Sequence, residues 1–505
     1  MRCLARCCLI VLILSSLVAA QTAEQKTARY LDSIRRQPSL LVAFLHDMPK
    51  GGDLHNHLSG AVYAEDLIDF AASDNFCVDR TTSQLTSPPC DSCEKYKPNP
   101  AIRCAYGDHI LYNQIIDAWS MRNWRPGDES GHDHFFAAFD KFRPAADAHT
   151  AESVATVINR AAKEHVQYVE FMRSADDGAA IKLGMKLGWD SDFAAAREKL
   201  LAGGLKEITA ETIKNLAEDD ARARSELKCG TADAEPGCNV TVRYLYQVLR
   251  GFPREAVFAQ ILLGFELASS DPHFVGLNLV MPEDWYVPIH DFNEHMAMMD
   301  YLHGVYPKVH ITLHAGELAM GLVKPEDLSF HIRASVERGH AERIGHGVDL
   351  MLEKDPIGLL KEMAARNVLV EVNLTSNDQI LDVSGDEHPL PMYMKYGVPV
   401  AISTDDEGVA RSDMTHEYLR AVEGFRLSYT DLKRTTRQSI EHSFLPGQSL
   451  WAETKGAFRP VAACAGDSLG VGTPSAGCAK FLAGSEHARE QWKLEAAFSE
   501  FEKKF

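Results

Sequence analysis

The sequence predicts an α/β fold in which eight parallel strands and their helices form a (β/α)8 barrel of the TIM type. Short apolar runs alternate with helical patterns along most of the chain, which is typical of parallel βαβ units. Roughly eight such runs can be counted, and this number favours a closed barrel over an open sheet. A single barrel with insertions also suits a chain of 505 residues.

Hydrophobic periodicity predicts the elements in chain order. Residues 22–47 carry a helical stripe and form a helical lead-in to the barrel, whose core covers about residues 48–450. The predicted strands end at His57 or span residues 166–172, 241–249, 274–280, 308–313, 344–346, 368–372 and 399–403. The predicted helices span residues 133–142, 151–164, 254–268, 290–304, 325–338, 356–365 and 392–396. One catalytic domain over residues 21–505 accounts for this pattern.

Two segments depart from the barrel pattern. Residues 77–107 are rich in Cys, Pro, Ser and Asn, so we expect a loop insertion there. Residues 456–484 are rich in Gly and Ala and predict a loop before a closing helix at residues 486–503, which forms a C-terminal helical extension.

The first twenty residues are typical of a secretory signal peptide. Arg2 and Arg6 give the positive start, residues 9–14 the apolar run, and residues 18–20 a small-residue cleavage site. The apolar run is short for a membrane span, although a retained anchor is the alternative. We therefore expect a secreted protein, periplasmic if the source is bacterial, with no membrane span in the mature chain.

The cysteines beyond residue 20 are even in number, which suggests disulfides in an exported chain. Their spacing favours the local pairs Cys229–Cys238 and Cys464–Cys478, whereas the pairing of the first four stays open. Cys90 and Cys93 could alternatively form half of a zinc or redox motif. The full set is Cys77, Cys90, Cys93, Cys104, Cys229, Cys238, Cys464 and Cys478.

The acidic balance of the chain bears on its partners. Its formal net charge of −19 would repel nucleic acid backbones and anionic membranes. We therefore expect a small-molecule substrate and no nucleic acid partner, while the sequence says nothing about oligomeric state. Asn239 and Asn373 fit the glycosylation pattern, and glycosylation at Asn239 is expected only if the source is eukaryotic.

Polar side chains follow four of the predicted strands, at the ends that converge on the mouth of a parallel barrel. Because residues i and i+2 of a strand share a face, the histidines of the first cluster aim at one point. Three histidines and a carboxylate suit a borderline metal such as zinc, which can activate water near neutral pH. The clusters are His55 and His57, then His314 and Glu317, then His346, then Asp405 and Asp406.

Each cluster taken alone has an ordinary structural explanation. A His-x-His pair is common by chance, and a lone His346 is more often a hydrogen-bonded core residue. Asp405 and Asp406 could cap a helix, and Glu317 could be a solvated residue at a helix start. The joint pattern of four clusters in one order, each ending a strand, favours a metal site instead.

The ordered motifs HNHL (55–58), HAGE (314–317), IGHG (344–347) and STDD (403–406) resemble those of the adenosine deaminase family of metal-dependent amidohydrolases. Supporting matches are YVEF (168–171), FFAAFD (135–140), TSN (375–377) and HP (388–389), and the resemblance covers roughly residues 48–450. The signal segment and extra loops are loosely similar to the secreted adenosine deaminase-related growth factor branch.

The resemblance implies a zinc-dependent hydrolase that deaminates adenosine or 2′-deoxyadenosine and releases ammonia. It implies that one Zn²⁺ per chain is held by His55, His57, His314 and Asp405. Glu317 would give a proton to purine N1, a role that needs a raised pKa in a dry pocket. His346 would orient the attacking water, and Asp406 would bind purine N7.

Further residues of the predicted substrate site follow from the same resemblance. Phe135 and Phe136 would line an apolar wall, with core packing as the alternative. Ser59 stands where family members carry an Asp associated with the ribose 5′-hydroxyl, so it either bonds that hydroxyl, leaves room for a larger or anionic 5′ group, or packs in a turn. Asn278 and Met281 stand where the family usually has Asp and Gly, and the backbone N–H of that Gly binds purine N3.

These departures leave the substrate open. The enzyme-class alternative is deamination of another 6-aminopurine, such as adenine, a 5′-modified adenosine or an N6-substituted nucleotide. A nucleoside-binding ectodomain without catalysis is a further alternative, although a pure binder needs neither the proton donor Glu317 nor His346. A binuclear amidohydrolase is disfavoured because the sequence offers no convincing metal-bridging lysine at a strand end.

Overall fold

Eight parallel strands with helices around them form one nearly closed barrel, so the predicted (β/α)8 fold is confirmed. The computed structural model describes residues 21–127 and 129–505, and the predicted signal peptide at residues 1–20 lies outside the described residues. Strands that follow one another along the chain are neighbours in the sheet. They are β1 (Gly51–His57), β2 (Val166–Arg173), β3 (Thr241–Leu249), β4 (Phe274–Val280), β5 (His310–Ala315), β6 (Arg343–His346), β7 (Leu369–Val372) and β8 (Val400–Ile402).

The barrel closes at a seam between β8 and β1. A parallel bridge joins Asn56 to Asp405, three residues beyond the end of β8. The N–H of Asp405 donates to the carbonyl of His55 (2.8 Å), and the N–H of His57 donates to the carbonyl of Asp405 (3.2 Å). Three of the four predicted metal ligands, His55, His57 and Asp405, therefore also contribute backbone to the seam.

The helices before and within the barrel follow the predicted order. The lead-in is two helices, Ala23–Ile34 and Pro38–Asp47, the second of which begins at a proline whose φ suits the first helical position. Between β1 and β2 lie Leu58–Ala61, Ala64–Ser73, His109–Trp119, Gly131–Ala148 and Thr150–Lys163. Between β2 and β3 lie Ala179–Leu187, Phe193–Leu200 and Lys206–Glu226, which the periodicity above does not anticipate.

The later strands are joined by shorter connections. Their helices are Arg254–Ser270, Tyr286–His290, Phe292–Val305, His331–Glu337, Pro356–Arg366, Leu374–Leu381 and Leu390–Tyr396. After β8 come Glu407–Ala410, Met414–Phe425, Tyr429–Glu441, Ala476–Ala483 and Glu486–Glu502. The helix predicted at residues 325–338 is instead a 3-10 turn, Pro325–Leu328, and the short helix His331–Glu337. The buried Glu353 carboxylate accepts the N–H groups of Ile332 and Arg333 in the first turn of this helix.

The strands are buried on both faces, which explains their near-continuous apolar runs. β4 is buried along its whole length, and the helix Arg254–Ser270 that follows β3 packs against both β3 and β4. Apolar burial of this kind is the main favourable contribution to folding. Polar side chains inside such strands are the exception and mark the site.

The insertion and the C-terminal extension are closed by disulfides. The predicted pairs Cys229–Cys238 and Cys464–Cys478 are confirmed, and the insertion contains Cys77–Cys90 and Cys93–Cys104. The insertion also holds a short strand pair and the 3-10 helix Ile102–Gly107. No helix among the described residues is long and apolar enough to span a membrane.

Candidate metal centre and active site

Four donor atoms from three different strand ends converge at the barrel mouth. The side chains of His55, His57, His314 and Asp405 each offer one ligand atom, and these atoms all lie within 4.8 Å of one another. The Nε2 atoms of His57 and His314 are 3.2 Å apart, and Asp405 Oδ1 lies 3.3 Å from His57 Nε2 and 3.4 Å from His55 Nε2. This donor set fits zinc, which prefers four nitrogen, sulfur or oxygen ligands.

Each of the three histidines uses its other ring nitrogen to hold its orientation. His55 Nδ1 donates to Glu371 Oε2 (2.7 Å), His57 Nδ1 to Gln247 Oε1 (2.8 Å), and His314 Nδ1 to Asn278 Oδ1 (2.9 Å). Such partners fix the tautomer that leaves Nε2 free for a metal. His55 Nε2 is buried and has no hydrogen-bond partner among the described residues, so a bound cation fits it.

Burial also favours the neutral imidazoles that a metal requires. Burial lowers the pKa of His57 to about 4 and lowers the pKa of His314 well below its usual range. The same burial acts on His55, but Asp405 and Glu371 outweigh it and raise the pKa of His55 to about 10. A metal that binds here therefore displaces a proton, and its affinity rises with pH.

Two site residues have left-handed backbone, which is uncommon outside glycine and asparagine. His346 has φ 69° and Asp405 has φ 59°. Such conformations cost about 1 kcal/mol or more and persist where surrounding contacts fix them, often at functional sites. Asp405 is fixed by the seam and by Ser376, whose hydroxyl donates to Asp405 Oδ2 at 2.6 Å.

Glu317 and His346 face the ligand set from two strand ends. His346 Nε2 lies 3.7 Å from Glu317 Oε1 and 3.9 Å from Asp405 Oδ2, while its Nδ1 donates to Asn377 (2.9 Å). Burial and the nearby carboxylates, Asp405 first, raise the pKa of Glu317 to about 8. Burial lowers the pKa of His346. The pair thus offers a neutral acid and a neutral base side by side.

Asp406 lies beside the candidate metal centre, in space left by the glycine that follows Ser59. A Cβ on Gly60 would clash with Asp406 Oδ1, so only glycine leaves the carboxyl this space. Burial and Asp405 raise the pKa of Asp406 well above its usual range. Ser59 itself lies half-buried on the helix Leu58–Ala61 that leads away from the ligand strand.

Met281 also has left-handed backbone, with φ 86°, directly after β4. Its thioether packs on Gly251 and accepts the Gly251 N–H at 3.3 Å. Phe135 lies in the hydrophobic core, whereas Phe136 is half-buried against the ring of His132. The substrate contacts of Met281, Phe135 and Phe136 stay predictions.

The sequence reasoning missed the residues that support the ligands. Glu371 and Gln247 carry no motif, Asn377 lies in the TSN match but was given no role, and Asn278 was noted only as a departure. A usable signal exists, because Glu371 interrupts the buried strand Leu369–Val372 and a buried polar side chain needs a partner. Glu283 and Arg250, both buried beside the HAGE segment, were missed because neither stands in a recognised motif.

Comparison with known proteins finds a family match over much of the barrel. The profile of the family described as adenosine deaminase matches residues 127–451, more than half of the chain. Adenosine deaminase from Escherichia coli strain SMS-3-5 is 38% identical over 151 residues, which are 30% of this chain and 40% of the relative. Its counterpart from E. coli O1:K1 is 37% identical over the same lengths. The matched stretch thus spans 40% of these curated relatives.

Solved structures share the fold. An adenine deaminase from Arthrobacter aurescens has a TM-score of 0.51 and 17% identity, covering 79% of this chain and 94% of its own. An Arabidopsis N6-mAMP deaminase has a TM-score of 0.51 and 20% identity, covering 80% of this chain and 96% of its own. At these identities the likeness extends to the fold alone.

Proposed function

Because this chain belongs to the adenosine deaminase family, we propose that it is a zinc-dependent hydrolase that deaminates adenosine or 2′-deoxyadenosine. The observation that carries the proposal is the convergence of His55, His57, His314 and Asp405 beside the buried acid Glu317. One Zn²⁺ per chain is expected. Zinc held by these four residues would act as a Lewis acid and lower the pKa of a water in the site toward ~7.

The chain's own residues account for the proton transfers. Glu317, neutral at pH 7 because its pKa is raised to about 8, would protonate purine N1 and so make C6 electrophilic. As the water oxygen bonds to C6, His346 would accept one water proton. His346 then returns this proton to the leaving amino group, the C6–N bond breaks and ammonia departs. The remaining hydroxyl proton restores Glu317 as the C6 carbonyl forms.

Asp406 supports the choice of a purine. Burial and Asp405 raise the pKa of Asp406, which favours its protonated form, and that form can donate a hydrogen bond to purine N7, which only accepts. Its fixed place against Gly60 and next to the ligand Asp405 would set the base within reach of the reacting water.

The charges around Ser59 favour a substrate with a neutral 5′-hydroxyl. Two arginines contact the residues that follow Ser59, but each is already paired. Arg160 donates to the Ala61 carbonyl and pairs with Glu407 at 2.7 Å, while Arg411 lies over the Tyr63 ring and pairs with Glu65 at 2.6 Å. A phosphate at the ribose 5′ position would have to compete with these carboxylates.

Another 6-aminopurine is the second candidate because Ser59 has no negative charge. A carboxylate at this position would repel a 5′-phosphate, whereas serine does not. Two structural neighbours, an adenine deaminase and an N6-mAMP deaminase, are named for other 6-aminopurine substrates.

Ammonia release across a purine panel tests the proposal. The panel holds adenosine, 2′-deoxyadenosine, adenine and AMP, which are assayed for ammonia, and N6-methyl-AMP, which is assayed for methylamine, each with metal-replete and chelator-treated protein. We expect adenosine and 2′-deoxyadenosine to react fastest and the chelator to abolish turnover. Metal-replete protein that releases neither ammonia nor methylamine from these compounds would contradict the proposal.

Two variants sharpen the same assay. Glu317→Gln should keep its zinc and lose activity by about 10²- to 10⁴-fold, because the amide cannot give up the proton. Ser59→Asp should retain adenosine turnover and reduce the turnover of any 5′-phosphorylated substrate. If Ser59→Asp leaves the ratio of adenosine to AMP turnover unchanged, Ser59 does not set specificity.

We also propose that the protein works outside the cytoplasm, secreted or periplasmic. The four disulfides support an oxidising compartment. Expression with residues 1–20, followed by N-terminal sequencing of protein recovered outside the cell, tests this. A chain that stays intact and cytoplasmic would contradict it.

A further inference from the structure

The HAGE segment leaves the barrel without regular backbone pairing. β5 ends at Ala315, and Glu317 follows in a stretch that has neither helix nor strand hydrogen bonds. Gly316 turns the chain with φ 74°, a conformation that favours glycine, and a Cβ there would clash with Asp349. Because buried N–H groups need partners, the donors of this turn identify what holds it.

A single buried carboxylate accepts both of these N–H groups. Glu283 Oε1 accepts the Gly316 N–H at 3.2 Å, and Glu283 Oε2 accepts the Glu317 N–H at 2.8 Å. Glu283 is 1% exposed, so these bonds form away from water. On the other side of the turn, the Gly316 carbonyl accepts the N–H groups of Val348 and Asp349.

A buried arginine holds the same segment at its other end. Arg250 Nη1 donates to the carbonyl of the ligand His314 at 3.1 Å. Arg250 Nε and Nη2 both donate to the carbonyl of Met281, at 3.3 and 3.2 Å. Arg250 is 1% exposed, and each of its three guanidinium nitrogens donates to a backbone carbonyl.

Two fully buried charged groups that grip backbone are unusual. Charged side chains are rarely buried in full, and burying them is costly unless strong interactions compensate. Here the contacts fall on one segment that carries a predicted metal ligand at one end and the predicted proton donor at the other. The simplest account is that position, rather than stability, is what Glu283 and Arg250 provide.

We propose that Glu283 and Arg250 are positioning residues that clasp the backbone from His314 to Glu317 and so aim the Glu317 carboxyl at the reacting ring. Glu283 sets the direction of the turn, and Arg250 ties its start to the end of β4. The inference rests on the proposed function for its catalytic consequence. The clasp itself consists of backbone hydrogen bonds, whose presence can be tested without any substrate.

Glu283→Gln is the first test variant. The amide keeps the size of the side chain but has one acceptor oxygen, so its NH2 group would face one of the two backbone N–H donors. Amide hydrogen exchange, followed by mass spectrometry over peptides that resolve residues 316 and 317, should become at least tenfold faster. In the metal-loaded enzyme kcat should fall about 10- to 100-fold, the range for one lost charge-assisted bond, while KM changes less than threefold.

Glu353→Gln is the matched control. Glu353 is also a buried carboxylate, and it accepts two consecutive N–H groups, from Ile332 (2.7 Å) and Arg333 (3.1 Å), at the start of a helix. This variant should leave exchange at residues 316 and 317 unchanged and leave kcat within twofold of wild type. Arg250→Lys keeps the charge but lacks the fork, and it provides the test if Glu283→Gln does not fold.

The outcomes separate this inference from the proposed function. Unchanged exchange at residues 316 and 317 in both Glu283→Gln and Arg250→Lys overturns the clasp, whatever the activity. Faster exchange with unchanged kcat in an active enzyme overturns the positioning role. Faster exchange together with a loss of kcat and retained zinc content supports it. If the wild-type protein deaminates no purine, the proposed function fails, whereas the exchange data still decide whether the clasp exists.

Discussion

Replacing Glu371 by glutamine should weaken metal binding without touching a predicted ligand. Glu371 is fully buried and makes three contacts: it accepts from His55 Nδ1 (2.7 Å) and the Thr312 hydroxyl (2.9 Å), and it pairs with Arg343 Nε at 2.6 Å. A glutamine can keep its oxygen toward Arg343 and Thr312. Its NH2 group then faces His55, so His55 has to present an unprotonated Nδ1.

That change moves the remaining proton of His55 to the wrong nitrogen. An imidazole that accepts at Nδ1 carries its proton on Nε2, the atom that faces Asp405 at 3.4 Å and would bind the metal. Outer partners of this kind affect metal affinity by 10- to 100-fold, or about 1.4–2.7 kcal/mol. The stability of the fold should also fall, because Arg343 keeps only Glu170, at 2.5 Å, as a charged partner.

The assay is zinc competition against a chromophoric chelator at pH 7, with unfolding monitored on the same samples. Glu342→Gln is the control, because Glu342 accepts from His310 Nδ1 at 2.8 Å in the same kind of pair on the surface. We expect the control to bind zinc like wild type. Zinc affinity of Glu371→Gln within twofold of wild type would refute the reasoning about the tautomer.

Two further predictions concern the walls of the site. His132 is buried on the helix Gly131–Ala148 and donates to Asp284 at 2.9 Å. Burial alone would lower the pKa of His132, but Asp284 and Asp133 outweigh burial and raise this pKa to about 9. The Tm difference between wild type and His132→Gln should therefore be full below pH ~6.5 and vanish above pH about 9; a difference that grows with pH would contradict this. Gly60→Ala should displace Asp406 and reduce kcat/KM at least tenfold, whereas Gly304→Ala, with nothing near its added Cβ, should leave kcat/KM unchanged and stabilise its helix by up to about 1 kcal/mol.

The barrel could be predicted from the sequence because its strands are buried on both faces. Residues 241–249 and 274–280 were predicted with the bounds that the structure has. Residues 274–280 are mostly apolar and buried throughout, whereas residues 241–249 are rich in aromatic and β-branched side chains that favour a strand. The helix Lys206–Glu226 is harder, because its mean composition is polar and it packs by a narrow face. The short helix His331–Glu337 depends on the distant Glu353, a contact that local patterns do not contain.

The convergence of His55, His57, His314 and Asp405 could be predicted because each of them stands in a motif near a strand end. Their supports could not, because Gln247 meets His57 across 190 residues and Glu371 meets His55 across 316. Only the fold brings such pairs together. A buried polar residue in an apolar strand indicates that it has a hydrogen-bond partner but does not identify that partner.

A metal at the candidate site would also stabilise the seam of the barrel. Asp405 exchanges backbone hydrogen bonds with β1 on both sides of Asn56, while its carboxylate faces the histidines of that same strand. A cation held between them would link the first and last strands across the seam. Loss of this cation should then favour local opening of the barrel at the seam before the other strands separate.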